Sequence, residues 1–219
     1  PDDQFIDQPT SVGDWAPKNY DEKYFGNVQG VARQIDAVQA ATVDSNIGVS
    51  VGGGVVAIGG MNGKYSHRDG LGNTFGDEGS GFWLGLQALK TLIDYQDADK
   101  PYSPFVQQVD IYLKAHDAKH LVEWVYVNQT NPVPVIARVA EVVLNCANNG
   151  DSEALDIVRE AVSAIVKLEN MLVNRLKLDK PPTIFAGGIL TSDNAMSRLF
   201  IQELGLSEIP QAKYEPVIG

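Results

Sequence analysis

The sequence predicts an α/β chain in which a small sheet packs against a layer of helices. Two bursts of β-branched residues surround the glycine triplet 52–54, helical periodicity continues from Gly81 to about Leu178, and a short apolar strand and a last helix follow. Strand and helix patterns that alternate along one chain are typical of α/β folds. With 219 residues, 44% of them hydrophobic, the chain is long enough to form a substantial core.

The composition argues against several functional classes. Asp and Glu total 28 against 17 Lys and Arg, which gives a formal net charge of −11. Such a chain repels phosphate backbones and anionic surfaces, so we expect neither nucleic acid nor a membrane as a partner. Its near-apolar runs, such as residues 49–61, are shorter than the roughly 20 residues that a membrane-spanning helix needs. The single cysteine, Cys146, excludes a disulfide or a multi-cysteine cluster within one chain and favours a cytoplasmic location.

The first third of the chain is predicted to contain an arm, a helix and a strand pair. Residues 1–27 are polar and lack periodicity, which indicates a loop-rich arm, whereas residues 28–42 carry apolar positions at helical spacing. Two buried strands joined by the glycine triplet 52–54 should follow, with Gly59 and Gly60 ending the second strand. Residues 61–75 are rich in turn formers and are predicted to be an exposed loop.

The middle of the chain is predicted to be helical, with one further strand near its end. Apolar periodicity indicates helices over residues 82–93, 105–116, 119–127, 135–148 and from 151 towards 178. Pro181 and Pro182 stop the last of these, and a strand from Thr183 to the glycine pair 187–188 follows. Ser192 or Asp193 is expected to cap a final helix that runs through Leu204.

A few local patterns are candidates for chemistry, and each also has an ordinary structural explanation. Residues 76–81, G-D-E-G-S-G, precede a helix and could hold an anion or a hydroxyl-rich ligand, or could simply form an N-cap. The glycine pairs 59–60 and 187–188 either admit a ligand or form turns. Asp44 is either a general base or a turn residue. His116 and His120 lie four residues apart without a third ligand, so no metal site is predicted.

Residues 76–85, G-D-E-G-S-G-F-W-L-G, resemble the signature of the BadF/BadG/BcrA/BcrD-type ATPase family, which includes N-acetylglucosamine kinase. This family belongs to the superfamily of actin, heat-shock ATPases and sugar kinases. F-A-G-G-I-L at 185–190 resembles its later glycine-pair segment at the adenosine pocket, and Y-E-P-V-I-G at 214–219 resembles its closing segment. The order of the segments also agrees, so the resemblance covers residues 28–219.

The resemblance implies an actin-like ATPase lobe of the ribonuclease H-like type, a mixed sheet with a helical layer. In the family, a first lobe begins with a D-G-G-x-T hairpin, which has no counterpart in residues 1–27. We therefore expect the first lobe to be missing or incomplete. The chain divides into a loop-rich arm or first-lobe remnant (1–27) and a second lobe (28–219).

The same resemblance implies an ATP-dependent kinase that phosphorylates an amino sugar such as N-acetylglucosamine. Asp44 would be the catalytic base that takes the proton of the sugar hydroxyl during phosphoryl transfer. Asp77 and Glu78 would hydrogen-bond the sugar hydroxyls. Members of the superfamily commonly dimerise, so the resemblance leaves a homodimer open.

ATP and Mg²⁺ are the cofactors that the resemblance implies. Gly59 and Gly60 would approach the β- and γ-phosphates, Gly187 and Gly188 would border the adenosine, and Mg²⁺ would bridge the phosphates. The family's G-T-G-S phosphate motif is placed at residues 59–63, which read G-G-M-N-G and lack both hydroxyls.

Two alternatives to the sugar kinase stay open. The first is an ATPase of the BadF/BcrA type that activates a dehydratase or reductase. Such activators hold an iron–sulfur cluster with two cysteines per subunit, whereas this sequence has one. The second is a non-catalytic module that binds a sugar but has lost its phosphate loop.

Overall fold

The computed structural model describes residues 47–61, 64–69, 72–114, 118–127 and 131–210. The predicted arm, the predicted helix over residues 28–42, Asp44, His116 and the closing Y-E-P-V-I-G segment lie outside these residues. Among the described helices, none combines the length and the apolar character that a membrane span requires.

The sheet has four strands: β1 (Ile47–Val51), β2 (Val55–Met61), β3 (Lys64–Asp69) and β4 (Thr183–Ala186). Their order is β3-β2-β1-β4. β1 pairs antiparallel with β2, β2 pairs antiparallel with β3, and β1 pairs parallel with β4. The sheet is therefore mixed, and the carboxyl ends of β1 and β4 meet at one edge, next to the glycine turn 52–54.

The second and third strands correct two predictions. β2 does not end at Gly59 and Gly60 but continues to Met61, and residues 64–69, predicted to be loop, form β3. The sequence K-Y-S-H-R-D of β3 has no apolar alternation. It is a strand because its backbone pairs with β2 in a regular register from Met61↔Lys64 to Val56↔Asp69. Such pairing outweighs a weak intrinsic propensity.

Seven α-helices are found in the described part of the chain. They are α1 (Gly81–Asp97), α2 (Pro104–Leu113), α3 (Ala118–Val122), α4 (Val133–Arg138), α5 (Ala140–Asn148), α6 (Ser152–Leu176) and α7 (Ala195–Leu204), and α3 runs into a π-helical turn (Glu123–Val127). The helix predicted over 135–148 is thus two helices, which meet at Val139. The long helix from 151 is confirmed, and Asp151 caps it by accepting from the backbone N–H groups of Glu153 and Ala154.

The cap of the last helix differs from the prediction. Asn194, not Ser192 or Asp193, is the N-cap of α7, and its Oδ1 accepts from the backbone N–H groups of Met196 and Ser197. Ser197 Oγ in turn accepts from the backbone N–H of Asn194, which completes a capping box. The two side chains together satisfy three backbone N–H groups at the start of α7.

The two faces of the sheet carry separate apolar clusters. On one face, Ile47, Val49 and Val51 pack with the helical layer in the main core. α6 lies across β1, β2 and β3, and α1 packs against α2, α4, α5 and α6. On the other face, Val56 and Ile58 form a small cluster with Ala186. The helical layer thus covers one face and supports the edge at which β1 and β4 end.

Candidate functional site

Three chain segments converge at the edge where β1 and β4 end. The glycine turn 52–54 closes with a hydrogen bond from Gly52 N to the carbonyl of Gly54, 2.9 Å long. Gly81, the first residue of α1, donates its N–H to the carbonyl of Gly52 at 2.8 Å. Ile189, in the turn after β4, donates its N–H to the carbonyl of Val51 at 3.2 Å. The glycine turn is therefore held from both sides by the two segments that the sequence singled out.

Asp77 is the buried carboxylate of this edge. The residue is 6% exposed, and Oδ1 accepts a 2.8 Å hydrogen bond from the backbone N–H of Val55, the first residue of β2. Its own backbone N–H donates to both carboxylate oxygens of Asp69, at 2.9 and 3.0 Å. Asp77 thus connects the loop before α1 to the ends of two strands.

The electrostatic environment of Asp77 raises its pKa above the ordinary value. Burial is the main cause, because it disfavours the charged form, and the negative charge of Asp69 acts in the same direction. The hydrogen bond from Val55 stabilises the carboxylate and opposes both effects. Asp77 is consequently a largely desolvated carboxylate whose charged form is stabilised by one backbone hydrogen bond.

The glycine turn 52–54 has one closed side and one open side. A Cβ added to Gly54 would lie 2.9 Å from Asp77 Oδ1, so this position needs glycine for the carboxylate to approach. A Cβ added to Gly53 would meet no atom within 4 Å. The tip of the turn therefore presents backbone without side chains to open space.

The glycine pair 187–188 is divided in the same way. Gly187 has a φ of +79°, and a Cβ there would overlap the carbonyl oxygen of Val51. Gly188 has no atom within 4 Å of the corresponding position. Thr191 and Ser192 tie this turn down, since their hydroxyls donate to the carbonyls of Gly187 and Gly188. Gly187 is needed for close packing, whereas Gly188 leaves space at the surface.

The start of α1 matches the capping interpretation. Ser80 is the N-cap, and its Oγ accepts from the backbone N–H of Trp83 at 3.1 Å. Gly79 has a φ of +87°, and a Cβ on it would lie 2.8 Å from the carbonyl oxygen of Ala161 in α6. Glu78 lies between Asp77 and Gly79 and is exposed. The loop is therefore fixed against α6 while Glu78 remains accessible.

The structure separates Gly59 and Gly60 from the other predicted site residues. Both are buried within β2, where Gly59 pairs with Ile47 and Gly60 with Tyr65. A Cβ on Gly59 would lie 2.5 Å from Leu176 Cδ1, so this glycine allows α6 to approach the sheet. Four residues of extended strand, about 13 Å, separate Gly59 from Val55 at the Asp77 end.

The residues at this edge that the sequence does not assign to the site are Asp69 and the glycine triplet 52–54. For the triplet, the sequence favours a plain turn between strands over a weak ligand-binding signal. Its signal was three consecutive glycines between two β-branched runs, more than a hairpin of this length requires. Asp69 gave no signal, because it lies in a segment without periodicity.

The described residues contain no group of three or more histidine, cysteine or acidic side chains arranged to hold a metal ion. His120 is exposed on α3. Cys146 on α5 is partly buried, and burial raises the pKa of its thiol.

Comparison with known proteins identifies the family. The model of the BadF/BadG/BcrA/BcrD ATPase family matches residues 18–219. An N-acetyl-D-glucosamine kinase of Dictyostelium discoideum is 25% identical over 185 residues, which are 82% of this chain and 58% of that protein. An N-acetylmuramic acid/N-acetylglucosamine kinase of Clostridium acetobutylicum is 26% identical over 149 residues, which are 66% of this chain and 48% of that protein.

Two solved structures share the fold. A protein of Chromobacterium violaceum, provisionally named an N-acetylglucosamine kinase, superposes with a TM-score of 0.68 at 21% identity, over 86% of this chain and 61% of that one. A similarly named protein of Porphyromonas gingivalis gives a TM-score of 0.61 at 17% identity, over 84% and 61%. The α/β, actin-like ATPase fold is thereby confirmed, and the chain spans about half to three-fifths of the length of these relatives. The chain belongs to the BadF/BadG/BcrA/BcrD ATPase family.

Proposed function

We propose that this chain supplies the second lobe, residues 28–219, of an ATP-dependent kinase that phosphorylates an amino sugar such as N-acetylglucosamine. The observation that carries the proposal is the convergence of the bare glycine turn 52–54, the buried carboxylate of Asp77 and the turn at Gly188 on one edge of the sheet. Ligands of open α/β sheets bind at such carboxyl edges. The kinase names of the relatives support the substrate class.

The glycine turn 52–54 is the part of this edge that best fits the ATP phosphates. Phosphates are held by backbone N–H groups, which require a turn without side chains, and the space above Gly53 provides one. The G-T-G-S motif has glycines at its first and third positions, and Gly52 and Gly54 satisfy that spacing. Gly59 and Gly60 do not fit equally well, because they are buried in β2. Mg²⁺ would neutralise the phosphates of the bound nucleotide.

The carboxylates beside the turn would bind the sugar. Asp77 Oδ1 is fixed by Val55, and a carboxylate accepts more than one hydrogen bond, so Asp77 can also receive a sugar hydroxyl. Glu78 is exposed in the next position and can receive a second hydroxyl. Gly188 leaves space for the flat adenine at the end of β4. The sugar and the adenine would thus bind on opposite sides of the glycine turn.

Asp44 remains the proposed catalytic base. Phosphoryl transfer depends on positioning and charge stabilisation, and a carboxylate within reach of the sugar hydroxyl takes its proton as the bond to phosphorus forms. Asp44 precedes β1 by two residues, Ser45 and Asn46. Asp36 is the other acidic residue between positions 28 and 46, so it is the natural comparison in a test of the base.

The test is ADP release by the purified protein with Mg²⁺-ATP, without sugar and with N-acetylglucosamine, glucosamine or N-acetylmuramic acid. Sugar-dependent release is expected. Asp44→Asn should abolish turnover while nucleotide affinity, measured by calorimetry, is retained, and Asp36→Asn should keep turnover. Loss of turnover in Asp36→Asn alone would overturn the role of Asp44.

Two other results would overturn the proposed kinase. Sugar-independent ADP release would favour the activating ATPase, although Cys146 is the only cysteine of this sequence and has a raised pKa. Sugar binding without any nucleotide binding would favour a non-catalytic module.

A further inference from the structure

Asp69, the last residue of β3, accepts hydrogen bonds from the backbone of Asp77. Both of its carboxylate oxygens accept the N–H of Asp77, at 2.9 and 3.0 Å, across eight residues of sequence. The strand register pairs Asp69 with Val56, and Asp77 Oδ1 accepts from Val55, the neighbouring residue. The two aspartates and the start of β2 therefore form a closed ring of contacts.

The backbone at both aspartates is in an unusual conformation. Asp69 has a φ of +62° and Asp77 a φ of +64°. For most residues other than glycine this left-handed region costs roughly 1 kcal/mol or more, and although Asp adopts it more readily than most, such conformations persist where neighbouring contacts determine them. At Asp77 the contact is a charge-assisted hydrogen bond from its own N–H, a stronger type than a neutral one. Its conformation is therefore held by Asp69.

Gly76 provides the space for this contact. A Cβ at position 76 would overlap Oδ1 of Asp69, so the carboxylate reaches the Asp77 N–H only because residue 76 has no side chain. Glycine at this position of the G-D-E-G-S-G segment is thereby explained by a particular side chain of β3.

We propose that Asp69 is a positioning residue that sets the orientation of the Asp77 carboxylate for the sugar. This inference rests on the proposed function. Both carboxylate oxygens of Asp69 accept the Asp77 N–H, so Asp69 would affect the sugar only through Asp77. A hydrogen-bonding group must be held within about half an ångström of its productive position to be effective, and the hydrogen bonds from the Asp77 N–H to Asp69 supply that constraint.

The test uses Asp69→Ala, which removes the acceptor, and Asp69→Asn, which retains one acceptor oxygen. Asp97→Asn is the matched control, because Asp97 is an exposed acidic residue at the far end of α1. The readouts are the KM values for N-acetylglucosamine and ATP, kcat, and the hydrogen-exchange rate of the Asp77 amide by NMR. The exchange rate does not depend on activity.

In Asp69→Ala we expect the Asp77 amide to exchange at least tenfold faster and the sugar KM to rise about tenfold, with the KM for ATP within twofold. In Asp69→Asn both the exchange rate and the sugar KM should stay close to the wild-type values, and Asp97→Asn should change neither quantity. Unchanged exchange in Asp69→Ala would overturn the inference whatever the function. Faster exchange with an unchanged sugar KM would show that Asp69 holds the loop without serving the sugar. A wild-type protein with no sugar dependence would instead overturn the proposed kinase, while the exchange rate would still decide whether Asp69 holds Asp77.

Discussion

The carboxylate of Asp77 accepts the backbone N–H of Val55, 22 residues earlier in the sequence, at 2.8 Å. This one hydrogen bond joins the loop before α1 to the first residue of β2. It also places a desolvated negative charge beside the glycine turn that we propose for the phosphates. The structural and the proposed binding roles of Asp77 can be separated, because a neutral side chain of the same shape keeps an acceptor for Val55 but lacks the charge that strengthens hydrogen bonds to the sugar.

Asp77→Ala should lower the free energy of unfolding by about 1–3 kcal/mol, since it leaves the buried Val55 N–H without an acceptor. Asp77→Asn retains an acceptor oxygen and should lose less than Asp77→Ala. Both variants should weaken sugar binding, because a hydrogen bond to a carboxylate is roughly twice as strong as a neutral one. Urea unfolding and sugar calorimetry measure the two effects, and Thr74→Ala, at an exposed position of the same loop, is the control. Equal destabilisation by Asn and Ala would show that the charge, not the acceptor, holds the hairpin.

Gly187→Ala should destabilise the protein by about 2–4 kcal/mol, because alanine must adopt a positive φ there and its Cβ overlaps the Val51 carbonyl. Gly188→Ala is the matched control, with open space at the Cβ position, and should change stability by less than about 0.5 kcal/mol. Thermal and urea unfolding of the two variants provide the comparison. Similar losses in both would contradict the close approach of the β4 turn to β1.

Gly53→Ala should weaken ATP and ADP binding while leaving the free energy of unfolding nearly unchanged, because its Cβ would enter the open space where we propose the phosphates. Gly59→Ala should behave in the opposite way, since its Cβ would press on Leu176 of α6 and lies far from the turn. Nucleotide calorimetry and urea unfolding of both variants decide between the two glycine segments. Loss of nucleotide affinity in Gly59→Ala alone would return the phosphate site to β2.

The helices could be predicted because their signals are local. Ser80 and Asp151 both cap the helices that follow them, and α6 keeps one apolar stripe over its 25 residues. The third strand could not be predicted, because its polar sequence becomes a strand only through pairing with β2. The same limit applies to the site, since Asp69 and Asp77 meet through a strand register that no local spacing encodes. The family resemblance places the phosphates at Gly59 and Gly60, and only the sheet shows that both glycines are buried in β2.

A second buried carboxylate, Glu169 of α6, provides a test of stability against pH. The residue is 6% exposed, Oε1 accepts from Thr183 Oγ1 at 2.5 Å, and Oε2 is buried without a partner in the structure. Burial raises the pKa of Glu169 above its ordinary value of 4.5, while the hydrogen bond from Thr183 lowers it. The native state therefore holds a proton on Glu169 at a pH where the unfolded chain has released it.

Because the native state binds the extra proton, the contribution of Glu169 to the free energy of unfolding is largest below pH 4.5 and falls as the pH rises through the raised native pKa. Glu169→Gln has no such proton, so its stability relative to wild type should increase from pH 4 to pH 7. Asp77 adds a slope of the same sign to both proteins, which cancels in the difference. Thr183→Val removes the hydrogen bond that lowers the pKa of Glu169, so this variant should lose more stability than wild type as the pH rises. Urea unfolding at closely spaced pH values measures the free energy of unfolding of each variant relative to wild type. If the free energies of Glu169→Gln and wild type change in parallel with pH, Glu169 is ionised in the folded protein throughout this range.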